Sequence, residues 1–435
     1  MSSFKIEGGA KLMGEITPQG AKNEALQIVS AVLLTDEKVR IENLPAIADV
    51  LKLIEILNSL GVEVTKINTN TYEFKASHID IDYMATPDFV SQGGSLRGSV
   101  MIMGPLVARF GKTIIPKPGG DKIGRRRMDT HFEGIQKLGA NFEYDPNQYL
   151  FRVDGNELKG TDILLDEPSV TGTANITMAA TLAEGTTTIY NAACEPYNQQ
   201  LCRMLVSMGA RISGIGTNKL IIEGVEKLGG CTHRCLPDMI EIGSFIGLAA
   251  MTQSSLRIKN VRYDMLANIP RTFRKLGIQF DLENDDIVIP EQDLYEISTY
   301  IDGSILTIAD GPWPLFTPDL ISIALVTAIQ AKGNVLIHQK MFESRLFFVD
   351  NLIDMGAQII LNDPHRATVI GLARKYPLRG ITMRSPDIRA GVSLLIAALS
   401  AEGESTIHNI GQIDRGYENI DGRLNALGAN ILRVD

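Results

Sequence analysis

Between Lys112 and His131 the chain reads KTIIPKPGGDKIGRRRMDTH, and this stretch sets Lys112, Lys117, Lys122, Arg125, Arg126 and Arg127 around Gly119, Gly120 and Gly124. The whole protein carries a formal net charge of −9, so these cations are a local concentration and not part of a general basic surface. Adjacent glycines let backbone come close to a ligand, and Pro116 and Pro118 keep the approach to them extended. Clustered lysines and arginines on such a loop suit a compact anion better than a nucleic acid backbone, which needs a broader basic face. One carboxylate, Asp121, directly follows the glycine pair. A solvated surface loop in which Asp121 pairs with a neighbouring Lys or Arg would have the same composition, and the rest of the chain has to decide between the two.

A chain of 435 residues, 44% of them hydrophobic, is long enough for two or three domains with cores of their own. Aromatic residues make up only 6% and the one tryptophan is Trp313, which argues against stacking platforms for single-stranded nucleic acid. No leader pattern opens the sequence and no run of about 18 apolar residues occurs, so a cytoplasmic location without membrane or nucleic acid partners is expected. Cys194, Cys202, Cys231 and Cys235 are too few for a disulfide scaffold. Cys231, His233 and Cys235 suggest zinc at first, but no second ligand pair follows at a finger-like spacing, and reduced structural thiols fit better. Neither a dinucleotide fingerprint nor a nucleophilic triad stands out, and no metal or cofactor is expected.

The elements that must position the loop repeat. A helical run ending in Leu or Met, then Gly, then an apolar strand occurs six times, as ILNSLGVEV (Gly61), IQKLGANFEY (Gly139), LVSMGARI (Gly209), FRKLGIQFDL (Gly277), LIDMGAQIIL (Gly356) and LNALGANILRV (Gly428). Each glycine stands where a helix takes a left-handed cap before a strand. A second phrase precedes each copy: an apolar helix, a short polar turn and a β-branched strand, clearest in AATLAEGTTTIYNA, LVTAIQAKGNVLIHQ and LIAALSAEGESTIHNI. The period is roughly 70 to 80 residues, longer than ordinary solenoid repeats, and alternating helix and strand implies α/β layers. Helices apolar on nearly every side must be buried, whereas those ending in LG carry charges and face water. The expected fold class is therefore α/β, with two inverse, barrel-like domains of three repeated units around buried helices. The glycine, cysteine and proline segment KLGGCTHRCLPD marks the boundary. It assigns residues 21–230, with the cationic lid loop, to the first domain and 1–20 plus 231–435 to the second, with a cleft between them as the expected ligand site.

On its motifs the chain resembles the UDP-N-acetylglucosamine 1-carboxyvinyltransferases. They are GAKNEAL from Gly20, GGDKIGRRRMDTH in the loop, SVTGTANITMAA from Ser169, EPYNQQL from Glu195, LPDMIEIGSF from Leu236, PLFTPDL from Pro314, FESR from Phe342, SPDIRAGVSL from Ser385 and IDRGYENI from Ile413. Each is modest alone, but their order covers nearly the whole chain. The resemblance implies the enolpyruvyl transferase fold of two inverse α/β domains and transfer of the enolpyruvyl group of phosphoenolpyruvate to the 3'-hydroxyl of UDP-N-acetylglucosamine, at the start of peptidoglycan precursor synthesis. It also implies site residues. Lys22, Arg126 and Arg415 would grip the anionic groups of phosphoenolpyruvate, with Arg345 and Arg389 in support and Arg97 lining the site, since arginine forks suit carboxylate and phosphate alike. Asn23 would orient the substrates. The nucleotide would meet Arg127, Met128, Asp129, Ser169, Val170, Thr171 and Met341, with backbone amides at the helix start facing phosphate oxygens. Glu195, Asp238 and Glu241 would support the cleft, and His131 is either structural or a contact to the loop's anion.

Addition to the enol ether needs a base at the sugar hydroxyl and an acid at the methylene carbon. By resemblance these are Asp319 and Asp121. The chain departs from the family at both: it reads Thr317, Pro318, Asp319 where Pro-Thr-Asp is usual, and Asp121 where cysteine is common. Glu167 also replaces a frequent lysine. An aspartate among so many cations should have a lowered pKa, so an acid role for Asp121 requires bound phosphoenolpyruvate and loop closure to return the proton. Without the loop thiol that fosfomycin alkylates, resistance to that compound is expected. The rival readings are a shikimate-pathway enolpyruvyl transferase, whose Gly-Ser-Lys-Ser entry differs from Gly20, Ala21, Lys22, Asn23 here, and a catalytically silent UDP-sugar-binding regulator.

Overall fold

Each copy of the helix–glycine–strand phrase makes its turn in the computed structural model, which describes residues 2–119, 128–343 and 345–434. Gly61, Gly139, Gly209, Gly277, Gly356 and Gly428 all take positive φ, between 93° and 109°, a conformation that costs a residue with a Cβ far more. The strands that follow are Glu63–Asn68, Asn141–Asp145, Arg211–Ser213, Asp281–Glu283, Gln358–Asp363 and Asn430–Val434. Each is the edge of its own sheet, six sheets in all among the described residues. In five of them the edge strand turns back into the next strand of the sequence. In the sixth the place beside Asn430–Val434 is taken by Ser3–Glu7, antiparallel to it and to Glu404–His408, with Phe4 opposite both Ile407 and Arg433.

The chain divides into two compact units, one of residues 20–119 and 128–236 and the other of residues 2–19, 237–343 and 345–434. Three sheets belong to each. Cys231–Arg234 runs parallel to Lys38–Glu42, so pairing holds this segment on the first unit's sheet and moves the division from residue 230 to residue 236. The composition change at the glycines and cysteines therefore marks the last strand of the first unit, and the division follows it. Met13–Ile16 lies parallel to Ser255–Ile258 within the second unit.

The helices that read as apolar all round are the buried ones. Met239–Met251 is buried at all thirteen positions, and it packs with Ile321–Ala328 and Ile388–Ser400. Burying each large aliphatic side chain there contributes about 2 kcal/mol. In the first unit the corresponding helices are Lys22–Ala31, Met103–Phe110 and Val170–Ala180. Small residues set how closely these helices approach: a Cβ on Gly247 would stand 2.6 Å from Thr327 Oγ1, and one on Gly104 only 2.3 Å from the backbone oxygen of Asn175. The starts of three of these buried helices carry predicted site residues, Lys22 and Asn23, Ser169 to Thr171, and Arg389, because the apolar run behind each start fixes it in the core. No described helix is long and apolar enough to cross a membrane.

Candidate active site

In the first unit Lys22 opens the helix Lys22–Ala31 and is only 7% exposed. A buried ammonium needs a counter-charge, and Asp49, in the first turn of the helix Ala48–Ser59, supplies it with Nζ donating to Oδ2 at 2.7 Å. Asp49 is a residue sequence reasoning missed. Its only signal is an acidic residue placed where a helix start favours negative charge. Asn23 follows Lys22, half-buried. Glu24, one position on, is fully buried and accepts from Leu236 N at 3.1 Å and pairs with His233 Nε2 at 2.9 Å. Its carboxyl is raised by burial and pulled down again in part by His233. This pair occupies His233, and no metal-binding cluster of His, Cys, Asp and Glu exists among the described residues.

The start of the helix Val170–Ala180 is built from Ser169, whose Oγ accepts from Gly172 N at 3.2 Å. Val170 and Thr171 form its first turn, half-buried, and Val170's carbonyl accepts from Asn198 Nδ2 at 2.9 Å. Met128 lies buried just before the helix Asp129–Lys137. His131, in the same helix, is buried and pairs with Thr171 Oγ1 at 3.0 Å. Burial, and then the charge of Arg97 at the start of the turn Arg97–Ile102, push its imidazole down to about 3. A neutral ring cannot attract an anion by charge, so His131 is a structural and hydrogen-bonding group. The structure thus brings Arg97, His131 and Thr171 together. Asp121, Arg126 and Arg127 lie outside the described residues.

In the second unit Asp319 stands in the short turn Pro318–Leu320, where Thr317 Oγ1 accepts from its N–H at 3.4 Å. Its carboxylate is clamped on both oxygens: Arg345 Nη2 donates to Oδ1 at 2.6 Å and Arg389 Nη2 to Oδ2 at 3.1 Å. Arg389 is set by the start of Ile388–Ser400, which Asp387 caps by accepting from Arg389 N and Ala390 N at 2.8 and 3.0 Å. Burial works most strongly against the Arg389 cation, but Asp319, Tyr417 and Asp238 together outweigh it and the group is held above the ordinary arginine range. The guanidinium also lies 5.5 Å over the ring of Tyr417, whose hydroxyl pairs with Ser244 Oγ at 2.9 Å. Arg345 rests over Phe342, 4.8 Å from the ring centroid. Arg345 Nε and Arg389 Nη1 are buried and find no acceptor among the described residues. Buried donors without acceptors are uncommon in folded proteins, and two from adjoining guanidinium groups suit a bound anion.

Met341 is 38% exposed, and its N–H, with that of Lys340, is donated to the buried carboxylate of Asp310. Burial raises the Asp310 carboxyl, and the two backbone donors oppose that. Asp310 and Tyr417 were not apparent as site residues from sequence. Arg415, half-buried, donates from Nη1 to Gln412 Oε1 at 2.8 Å. Glu241 is fully buried between Gln19 N at 2.7 Å and Arg423 Nη1 at 2.6 Å, and Asp238 caps the same helix through Ile240 N at 2.8 Å. Glu241, through Gln19 and Arg423, and Asp238, whose N–H is donated to Gln19 O at 2.8 Å, hold the helix Met239–Met251 to segment 17–19. Glu195 stands at the start of Pro196–Ser207.

Residues 6–424 match the family model for EPSP synthase (3-phosphoshikimate 1-carboxyvinyltransferase). The UDP-N-acetylglucosamine 1-carboxyvinyltransferase of Bacteroides fragilis is 64% identical over 434 residues, covering 100% of both chains. The enzymes of that name from Porphyromonas gingivalis and Treponema denticola are 62% and 46% identical, over 100% and 99% of both chains respectively. Among solved structures, the enolpyruvyl transferase NikO from Streptomyces tendae superposes with a TM-score of 0.86 at 22% identity, covering 100% of this chain and 99% of its own. EPSP synthase from Acinetobacter baumannii follows at 0.76 and 17%, covering 100% of both, and these two likenesses are of fold. With nearly the whole chain matched by the family model and end-to-end identity to relatives of one name, the chain belongs to the EPSP synthase family of enolpyruvyl transferases, on its UDP-N-acetylglucosamine 1-carboxyvinyltransferase branch.

Proposed function

We propose that this protein transfers the enolpyruvyl group of phosphoenolpyruvate to the 3'-hydroxyl of UDP-N-acetylglucosamine and releases phosphate, the first committed step of peptidoglycan precursor synthesis, in the cytoplasm. The observation that carries this reading is the 64% identity, end to end, to relatives named for that acceptor. The family description alone names a shikimate acceptor, so the acceptor is assigned by the relatives.

The chemistry is an addition followed by an elimination. The sugar oxygen bonds to C2 of phosphoenolpyruvate as its proton leaves to a base and a second proton reaches C3. The resulting tetrahedral adduct then loses a proton from C3 and phosphate from C2, leaving the enol ether. Asp319 is assigned the base role. Its double arginine clamp supports this by fixing the direction of the carboxylate. The leftover N–H groups of Arg345 and Arg389 serve the donor's anionic groups together with Lys22, Arg126 and Arg415. Asp121 delivers the proton to C3, and Arg97 and Asn23 line the site. The nucleotide is assigned to Arg127, Met128, Asp129, Ser169, Val170, Thr171 and Met341.

The deciding experiment incubates the protein with phosphoenolpyruvate and UDP-N-acetylglucosamine and follows phosphate while weighing the nucleotide product. Phosphate release that requires both compounds, with a product heavier by one enolpyruvyl group, is expected. Turnover with shikimate 3-phosphate instead would move the chain to the other acceptor. Binding of the UDP-sugar without any phosphate release would leave a silent regulator.

A further inference from the structure

The orientation of one hydroxyl at the start of Val170–Ala180 is dictated from inside the core. Asn175 cannot flip its amide, because Oδ1 accepts from Gly104 N at 2.9 Å while Nδ2 donates to Val100 O at 2.8 Å. The second Nδ2 proton points at His131 Nδ1, 2.8 Å away, so Nδ1 is an acceptor and carries no hydrogen. A neutral imidazole then has its single proton on Nε2, and that proton goes to Thr171 Oγ1 at 3.0 Å. Burial and the neighbouring Arg97 keep the ring neutral.

A threonine hydroxyl has one proton to give. With the His131 N–H on one of its two lone pairs, the Thr171 hydroxyl cannot aim its proton at the ring and directs it away from His131, its one side-chain partner among the described residues. We infer that His131 is a positioning residue that makes the Thr171 hydroxyl a fixed hydrogen-bond donor toward a phosphate oxygen of the nucleotide substrate. The opposite tautomer would turn the hydroxyl inward and present lone pairs to an anion, which is repulsive. The inference rests on the nucleotide-sugar acceptor proposed above and adds to it a side-chain donor whose direction comes from the pair Asn175 and His131.

Calorimetric binding of UDP-N-acetylglucosamine and steady-state kinetics test it together. Thr171→Val should weaken UDP-sugar binding about tenfold, the scale of a hydrogen bond to a charged group. The loss should fall mainly on KM for the UDP-sugar and not on KM for phosphoenolpyruvate, and Thr171→Ser should recover most of it. His131→Phe should produce a similar loss in the wild-type background and add little to Thr171→Val. Should His131→Phe fail to fold, the two Thr171 variants decide alone. Thr171→Val binding as tightly as wild type, or Thr171→Ser losing as much as Thr171→Val, overturns the assignment while leaving enolpyruvyl transfer intact. A wild-type chain that neither binds the UDP-sugar nor releases phosphate removes both.

Discussion

Lys22 and Asp49 meet at 2.7 Å with their side chains about nine-tenths sealed from water. Such a pair is costly to break from one side, because the remaining charge stays buried and unmatched. Asp49→Ala should therefore lower the unfolding free energy by about 3 kcal/mol in denaturant titration. The double variant Lys22→Met, Asp49→Leu should recover most of that stability while abolishing turnover, and stability as low in the double variant as in Asp49→Ala would contradict this account. The two halves of the pair were unequally visible beforehand. Lys22 sits in a recognisable run of residues, GAKNEAL, whereas Asp49 is one acid in LPAIADV and acquires meaning only when the fold brings it across 27 positions. The same holds for His131. Its presence near the cationic stretch was plain, but its protonation is fixed by Asn175 on another helix.

At the level of elements, closeness of helices carries the information from core to site. Met103–Phe110 approaches Val170–Ala180 at Gly104, whose N–H also holds the Asn175 side chain. Gly104→Ala places a methyl group 2.3 Å from a backbone oxygen, which side-chain rotation cannot relieve. It should destabilise the protein by about 2 kcal/mol and weaken UDP-sugar binding as Asn175 shifts. Wild-type melting temperature and wild-type affinity in this variant would together count against the coupling. Much of this layer was legible. The six Leu/Met–Gly phrases placed six left-handed caps and six strands, because a glycine between a helical and a β-branched run has few other uses. The all-round apolar helices likewise announced their own burial. What remained hidden were pairings between distant segments, such as Cys231–Arg234 beside Lys38–Glu42, since a short strand of Cys, Thr, His and Arg has no apolar alternation to betray it.

For the whole molecule, the order of strands in one sheet matters most. Ser3–Glu7 lies inside the sheet that Glu404–His408 and Asn430–Val434 complete, and it pairs with both. Deleting residues 3–7 removes an interior strand and exposes the strands on either side. Hydrogen exchange read by mass spectrometry should show protection lost in the second unit and kept in the first, where none of the described strands pairs with that segment. Equal loss in both units would refute their independence.

That sheet also fixes a timetable for a nascent chain. Every described strand of the first unit lies between residues 38 and 234, so its sheets can form as soon as that stretch has left the ribosome. Ser3–Glu7, made earlier, must wait unpaired until residues 404–434 emerge. A segment synthesised ahead of the whole first unit is thus among the last to find its neighbours, and until they emerge it is a bare β-edge available to chaperones or to the wrong partner.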